Sequence, residues 1–135
     1  MREILFRGKR IDTWTWVEGY YAQVEGKHFV IEVISEHVVN WHKVLPETIG
    51  QYTGLNDKNG QRIFEGDLVE AVLPPSLSQP RFVWPIMPVV FYGCTFGLQD
   101  YRGNAISLNS FAPSVTLEVK GNIHDNPELL KEPTT

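Results

Sequence analysis

Residues 52–69 read YTGLNDKNGQRIFEGDLV, and this stretch decides the fold class because it contains two tight turns in quick succession. Asn59-Gly60 is a strong turn dipeptide, since both residue types tolerate a positive φ. Residues 65–67 (EGD) predict a second turn, and the alternating residues 68–72 predict a strand. Two turns this close favour a small β-barrel over a long open sheet. The turn residues predicted here are Gly54, Asn59, Gly60, Gly66 and Asp67.

Short apolar runs on both sides of this stretch either alternate or are rich in β-branched residues, which is typical of strands. Gly19 is expected to end one strand and Tyr20 to begin the next, and residues 25–27 (EGK) are expected to form a hairpin tip. The chain is therefore predicted to be mostly β, with extra strands and hairpins around a small barrel. Predicted strands lie at residues 4–6, 14–17, 28–34, 68–72, 89–92 and 115–119.

Short helical turns are predicted at two places. Residues 46–49 (PETI) place a proline at the first helical position, which suits its fixed φ. Near the C-terminus, Asn126 is the predicted cap and Pro127 the first residue of a short turn. Residues 131–135 are expected to form a frayed tail. No repeat or linker divides the sequence, so residues 1–135 are predicted to form a single domain.

Residues 73–88 contain five prolines, which lack the backbone donor that a central strand needs. We expect a long surface loop there, with an edge strand at residues 81–84. Phe82 and Trp84 lie among the prolines and are candidate contacts for a partner protein, because aromatic side chains often anchor interfaces. The alternative is a loop that folds back on its own barrel.

The chain has 135 residues, and its 12 basic and 16 acidic residues give a formal net charge of −4. An acidic chain argues against a general nucleic-acid-binding or membrane-binding surface, although a local basic patch stays open. No stretch approaches the roughly 18 apolar residues of a membrane helix, and the N-terminus holds no apolar run of signal-peptide length. A soluble, cytoplasmic protein without membrane association is therefore expected.

Catalytic motifs are missing from the sequence. It holds no nucleophile elbow, phosphate-binding loop or dinucleotide-binding motif. Glu65 and Asp67 lie close together, but turn chemistry explains them better than a catalytic carboxylate pair. The one cysteine, Cys94, is predicted to be a small buried hydrophobic residue. No catalytic residue and no cofactor are predicted.

A metal site is not predicted either. Residues 57–60 (DKNG) suggest a calcium loop, but the positions that should hold acidic ligands carry Leu55 and Gly66. A plain hairpin turn is therefore favoured. His37 and His42 are five residues apart, a spacing that suits neither one helical face nor one strand face, so it predicts no metal site. The four histidines are His28, His37, His42 and His124.

A basic segment near the N-terminus is the best nucleic-acid candidate. Arg7, Lys9 and Arg10 could contact phosphates, and Trp14 could stack on a base. The alternative is a solvated turn beside core aromatic residues. Trp16 fits the core better than Trp14, because it lies within a patterned run.

Six blocks of sequence, in this order and spacing, resemble the YopX family of phage and prophage proteins. They cover nearly the whole chain, and the segment at residues 73–88 departs from the pattern. The blocks are FRGKR (6–10), WVEGY (16–20), PETIGQYTG (46–54), DKNG (57–60), IFEGD (63–67) and GNI (121–123).

The resemblance implies a phage or prophage origin, a bacterial host cell and an SH3-like barrel core with extensions, but no activity. Our first hypothesis is a non-enzymatic interaction module that acts on a host or phage protein. A nucleic-acid-binding small barrel is the second hypothesis, and an enzyme without a visible motif is the third. Self-association through strand edges near residues 28–34 and 89–92 is a further expectation.

Overall fold

The structure is a computed structural model in which residues 3–130 are described. The chain divides into two compact units, Met1–Gly54 and Leu55–Thr135, called the first and second units below. The described residues are mostly β, form two antiparallel sheets and hold no α-helix. They also contain no helix that could serve as a membrane span. The predicted tail at residues 131–135 lies outside the described part, and the single-domain interpretation stays a prediction.

The first unit consists of antiparallel strands. These are β1 (Phe6–Lys9), β2 (Trp16–Val24), β3 (Lys27–Ser35), β4 (Val38–Lys43) and most of β5 (Gly50–Asn56), whose last two residues belong to the second unit. Their order in the sheet is β4-β3-β2-β1-β5. Glu25 and Gly26 join β2 to β3 with φ of 50° and 76°, and a type I′ hairpin turn requires such positive values. A 3-10 turn, Pro46–Thr48, begins with proline as the sequence predicts.

Strand β2 runs without interruption through Gly19, so the expectation that Gly19 separates two strands is wrong. A Cβ atom on Gly19 would lie 2.1 Å from the carbonyl oxygen of Ile31 on β3. Glycine is needed here because the backbone of β3 comes close, and not because the chain turns. Residues 38–43, for which the sequence predicts no strand, form β4 by pairing along β3.

Val30 and Val44 form the most deeply buried part of the first unit, at 0% and 1% exposure. Gly8 lies against Val44, whose Cβ would be 3.0 Å from a Cβ on the glycine. Thr48 secures the 3-10 turn to β1, because its Oγ1 accepts the N–H of Lys9 at 2.8 Å and donates to the carbonyl of Leu45 at 2.6 Å.

The second unit holds the larger hydrophobic core. Its strands are β6 (Arg62–Phe64), β7 (Asp67–Leu73), β8 (Phe82–Val83), β9 (Met87–Tyr92), β10 (Thr95–Gln99), β11 (Ala105–Ser107) and β12 (Thr116–Asn122). Five of them follow the order β11-β10-β9-β7-β12, and β8 also pairs with β7. Two 3-10 turns, Leu108–Ser110 and Pro127–Leu129, complete the unit. The core residues are Ile63, Val69, Ala71, Met87, Val89, Leu98 and Leu108.

The proline-rich segment is shorter than predicted. Strand β8 lies within the predicted edge strand, but β9 already begins at Met87, so the loop does not extend to Pro88. Pro88 pairs with Leu68 at the second position of β9. Proline is tolerated there because the start of a strand does not need every backbone donor.

One of the two strand edges proposed for self-association, at residues 28–34, lies inside a sheet, so that part of the expectation is corrected. Residues 28–34 belong to β3, which pairs with both β2 and β4. Residues 89–92 belong to β9 and pair with β10, whereas β7 pairs with β9 only at Met87 and Pro88, so self-association at that edge stays a prediction. An edge depends on which strand lies alongside, and strand propensity does not encode that.

Three further expectations are corrected locally. Gly54 lies inside β5 and not in a turn, where its φ of 90° bends the strand without reversing it. Cys94 is exposed, because it is a central residue of the tight turn between β9 and β10 with φ of 71°. The side chain of Asn126 does not cap the last 3-10 turn but accepts the N–H of Asn122 at 3.2 Å.

Candidate functional site

The turn at residues 57–61 is organised by the carboxylate of Asp57, which is only 7% exposed. Its Oδ1 accepts the N–H groups of Asn59 and Gln61, both at 2.9 Å. Its Oδ2 accepts the N–H of Val119 on β12 at 3.0 Å. The carboxylate therefore shapes the turn and also joins it to a strand 62 residues away in sequence.

The electrostatics of this turn favour the ionised carboxylate. Burial raises the pKa of Asp57, but the N–H groups of Val119, Gln61 and Asn59 stabilise the charge and leave the pKa below its ordinary value. The ion pairs beside the turn place Lys58 Nζ 2.6 Å and Lys120 Nζ 2.5 Å from the oxygens of Glu118.

These two lysines, Lys120 foremost, lower the pKa of Glu118 to about 2. An acid with so low a pKa stays ionised near neutral pH and is a poor proton donor. The cluster therefore stabilises the turn and is a weak candidate for acid catalysis.

Other blocks that carry the family resemblance also hold turns. Gly66 has φ of 92° and donates its N–H to Val89 at 2.9 Å. Asp67, 1% exposed at the start of β7, accepts the N–H of Phe64 at 2.8 Å. The side chain of Asn122 likewise accepts N–H groups two and three residues further on. Within residues 3–130, no group of three or more His, Cys, Asp or Glu is arranged to hold a metal ion.

An apolar pocket of about 360 Å³ opens in the second unit beside the start of β9 and the segment after β10. Among the described residues of its lining, Gln99 contributes an amide and Asp100 a carboxylate. Asp100 is engaged in a turn, because its Oδ1 accepts the N–H groups of Arg102 and Asn104 at 2.9 Å. The apolar lining includes Trp84, Pro85, Pro88, Tyr101, Ile106 and Leu130.

The two aromatic residues predicted as partner contacts have different environments. Trp84 lines the pocket and packs against the core cluster, with its ring 5.3 Å from that of Phe111. Phe82 is 51% exposed and lies edge-on to Trp84 at 4.8 Å, outside the pocket lining. The segment folds back on its own unit, and Trp84 lines a cavity, so the hypothesis that Phe82 and Trp84 contact a partner stays a prediction.

Sequence reasoning missed the opposite wall of the pocket. Tyr101, Ile106 and Leu130 come from segments with weak or short patterns, far from Trp84 in the chain. The one local signal was an aromatic residue, Tyr101, just before Gly103, and its side chain is 55% exposed in the structure.

The basic N-terminal candidates are partly brought together in the first unit. The guanidinium of Arg7 lies 4.6 Å from the ring centre of Trp16, and Lys9 Nζ lies 5.6 Å from the same ring. Trp14 is 64% exposed and 5.7 Å from Lys9 Nζ. Arg10 instead forms a salt bridge with Asp12, in which the two charged atoms lie 2.7 Å apart.

Comparison with known families decides the affiliation. The family model described as YopX protein matches residues 5–131. The chain belongs to the YopX family. A YopX-like fold is also seen in the crystal structure of protein EF1440 from Enterococcus faecalis, which is 24% identical, with a TM-score of 0.54. That alignment covers 97% of this chain and 100% of EF1440 and shows a shared fold only. The comparison with curated proteins finds no match for this YopX member.

Proposed function

We propose that this YopX family member is a non-enzymatic interaction module that binds an extended segment of a host or phage protein. The observation that carries the proposal is the apolar pocket beside Trp84 and Tyr101. A phage or prophage origin, action in the cytoplasm of a bacterial host and the SH3-like barrel core belong to the same proposal. They rest on the family resemblance and stay predictions.

The chemistry of the pocket favours an apolar side chain as its occupant. A volume of 360 Å³ lies at the small end of the range for ligand sites. Its walls combine prolines with an indole and a phenol ring, as do grooves that receive proline-rich or aliphatic peptide segments. Gln99 at the pocket can hydrogen-bond the backbone of such a segment.

An acid–base reaction in this pocket has less support. Asp100 is the one carboxylate among the described residues of the lining, and its Oδ1 already accepts two backbone N–H groups. A general base needs an oxygen directed at the substrate. An enzyme therefore stays the third hypothesis.

The test begins with selection of peptides from a random library on the immobilised full chain. The selected peptides are then titrated against Tyr101→Ala, which removes one wall of the pocket. We expect affinity to fall about tenfold or more, the usual consequence of truncating a central aromatic residue.

Tyr20→Ala is a matched control, because Tyr20 and Tyr101 are both 55% exposed but Tyr20 is not in the pocket lining. It should bind the peptides like the wild type.

A chain that retains only Trp84, with the other tryptophans changed to phenylalanine, should show a peptide-dependent change in fluorescence. Peptides that bind Tyr101→Ala as tightly as the wild type would exclude the pocket, and failure to select any peptide would favour a small-molecule ligand.

A further inference from the structure

One face of the sheet in the first unit is exposed and rich in aromatic side chains. Residues that pair directly across neighbouring strands point to the same side of a sheet. The register pairs Tyr20 with Ile31 and Ile31 with Trp41, so these residues share what we call the open face. Tyr20 is 55% exposed and Trp41 52%. Val30, from the opposite face of β3, is fully buried, so the core lies on that other side.

Further aromatic residues extend the open face in both directions. Phe29 packs edge-on against Trp41, with the ring centres 5.4 Å apart. Trp16 lies two positions from Glu18 and four from Tyr20 on β2, which places it on the same face. Its ring lies beneath the guanidinium of Arg7 at 4.6 Å. Aromatic rings thus occupy three neighbouring strands.

The charge of this face is opposite to that of the chain. The register places four cations on this side of the sheet, namely Arg7 opposite Glu18, Lys9 opposite Trp16, Lys43 opposite Phe29, and Lys27 opposite Val24. The Nε and Nη2 atoms of Arg7 are buried, so the three lysines are the cations that the open face offers to a ligand. Glu18 is the one carboxylate among the paired strand residues of this face. A chain with a net charge of −4 therefore concentrates positive charge beside exposed aromatic rings.

We propose that the open face binds single-stranded nucleic acid. Its cations suit the phosphate backbone, and its rings offer surfaces on which unpaired bases stack. Duplexes fit less well, because paired bases already stack on each other and cannot reach a flat sheet. A second protein would bury the aliphatic residues, but lysine, which supplies three cations of this face, is depleted in protein interfaces.

The assay is fluorescence anisotropy with labelled oligothymidine and oligouridine of about 12 nucleotides, a length within the range of single-strand sites. A labelled duplex of the same length is the third probe. The full chain should bind the single strands at low salt and prefer them to the duplex. Binding should weaken steeply between about 50 and 200 mM salt as counterions compete for phosphate.

Tyr20→Ala should reduce affinity about tenfold or more through loss of a stacking surface. The matched control, Tyr101→Ala, should bind like the wild type because it changes the other unit. Lys27→Glu should weaken binding and flatten the salt dependence, whereas Arg81→Glu, an equal charge change at an exposed position of the second unit, should do so far less. Thermal melts establish that every variant is folded.

Three results would overturn the proposal. The first is no anisotropy change at low salt with either single strand. The second is an equal loss of affinity in Tyr20→Ala and Tyr101→Ala, and the third is tighter binding of the duplex than of the single strands. Sedimentation of the wild type and Tyr20→Ala tests the other occupant, because a dimer that the substitution abolishes would assign the open face to a second copy of this chain. The peptide pocket is tested by separate variants and probes, so either proposal can fail alone.

Discussion

Replacing Asp57 should destabilise the second unit more than its position in a surface turn suggests. Asp57→Ala leaves the N–H groups of Asn59, Gln61 and Val119 without their acceptor. Hydrogen bonds to charged groups contribute about 1.5–3 kcal/mol each, and water recovers part of that when a turn opens. We therefore expect a loss of about 3–5 kcal/mol, a large share of the stability of an ordinary domain.

Asp57→Asn separates the bond to β12 from those within the turn. An asparagine can keep its oxygen towards Asn59 and Gln61, but its NH2 group then faces the N–H of Val119, which is also a donor. The expected loss is about 2 kcal/mol, concentrated in the attachment of the turn to β12. Asp12→Asn is the matched control, because Asp12 is exposed and its partner Arg10 is local.

The measurements are urea unfolding, which gives the free energy of unfolding, and amide hydrogen exchange, which reports the N–H of Val119 directly. Both substitutions at Asp57 should speed exchange at Val119. The lowered pKa adds a pH test. Because folding lowers the pKa of Asp57, its ionised carboxylate stabilises the fold at pH values above the ordinary pKa of an aspartate. This stabilisation is lost as the pH falls below about 4. The reasoning is refuted if the free energy of unfolding of Asp57→Ala lies within about 0.5 kcal/mol of the wild-type value, which is the effect of an ordinary surface substitution.

Three other perturbations test the strands and turns. Gly60→Val and Gly66→Val, at φ of 83° and 92°, should each destabilise by about 1 kcal/mol or more in urea, and unchanged melting of both would contradict this. Gly19→Ala should lower the stability of the fold by about 3 kcal/mol or more, because the added Cβ would meet the backbone of β3. Thermal melts measure this, and a wild-type melting temperature would show that β3 can move aside. Glu118→Gln should lower the melting temperature slightly at neutral pH. Because folding lowers the pKa of Glu118 to about 2, the wild type should be more stable than the variant at pH values above the ordinary pKa of a glutamate, and this difference should vanish as the pH falls towards 2. A difference in melting temperature that persists near pH 2 would count against the two lysine pairs.

Several features of the fold were predictable because they depend on local backbone chemistry. Alternating apolar residues identify strands through the two-residue repeat of side-chain direction, and β7 agrees with its prediction to within one residue at each end. Asn59-Gly60 and Glu65-Gly66 identify turns through the positive φ that glycine tolerates. The YopX affiliation was also readable, because the blocks that carry it follow one another along nearly the whole chain and two of them contain these turns.

Other features depend on which segments meet. Strand β4 carries only a short apolar pattern, and it forms because it pairs along β3. Gly19 looks like a strand end in sequence, and only the approach of Ile31 explains it as a close backbone contact. Cys94 looks like a core residue by type but is a turn residue by position.

The sequence by itself determined the fold class, the main turns and the family, because periodicity and backbone preference act over a few neighbouring residues. The tertiary structure decided the candidate sites. The pocket joins Trp84, Tyr101, Ile106 and Leu130, and the open face joins alternate residues of four strands. Neither set shares a local pattern, since strand register and chain reversal bring distant side chains together only after folding.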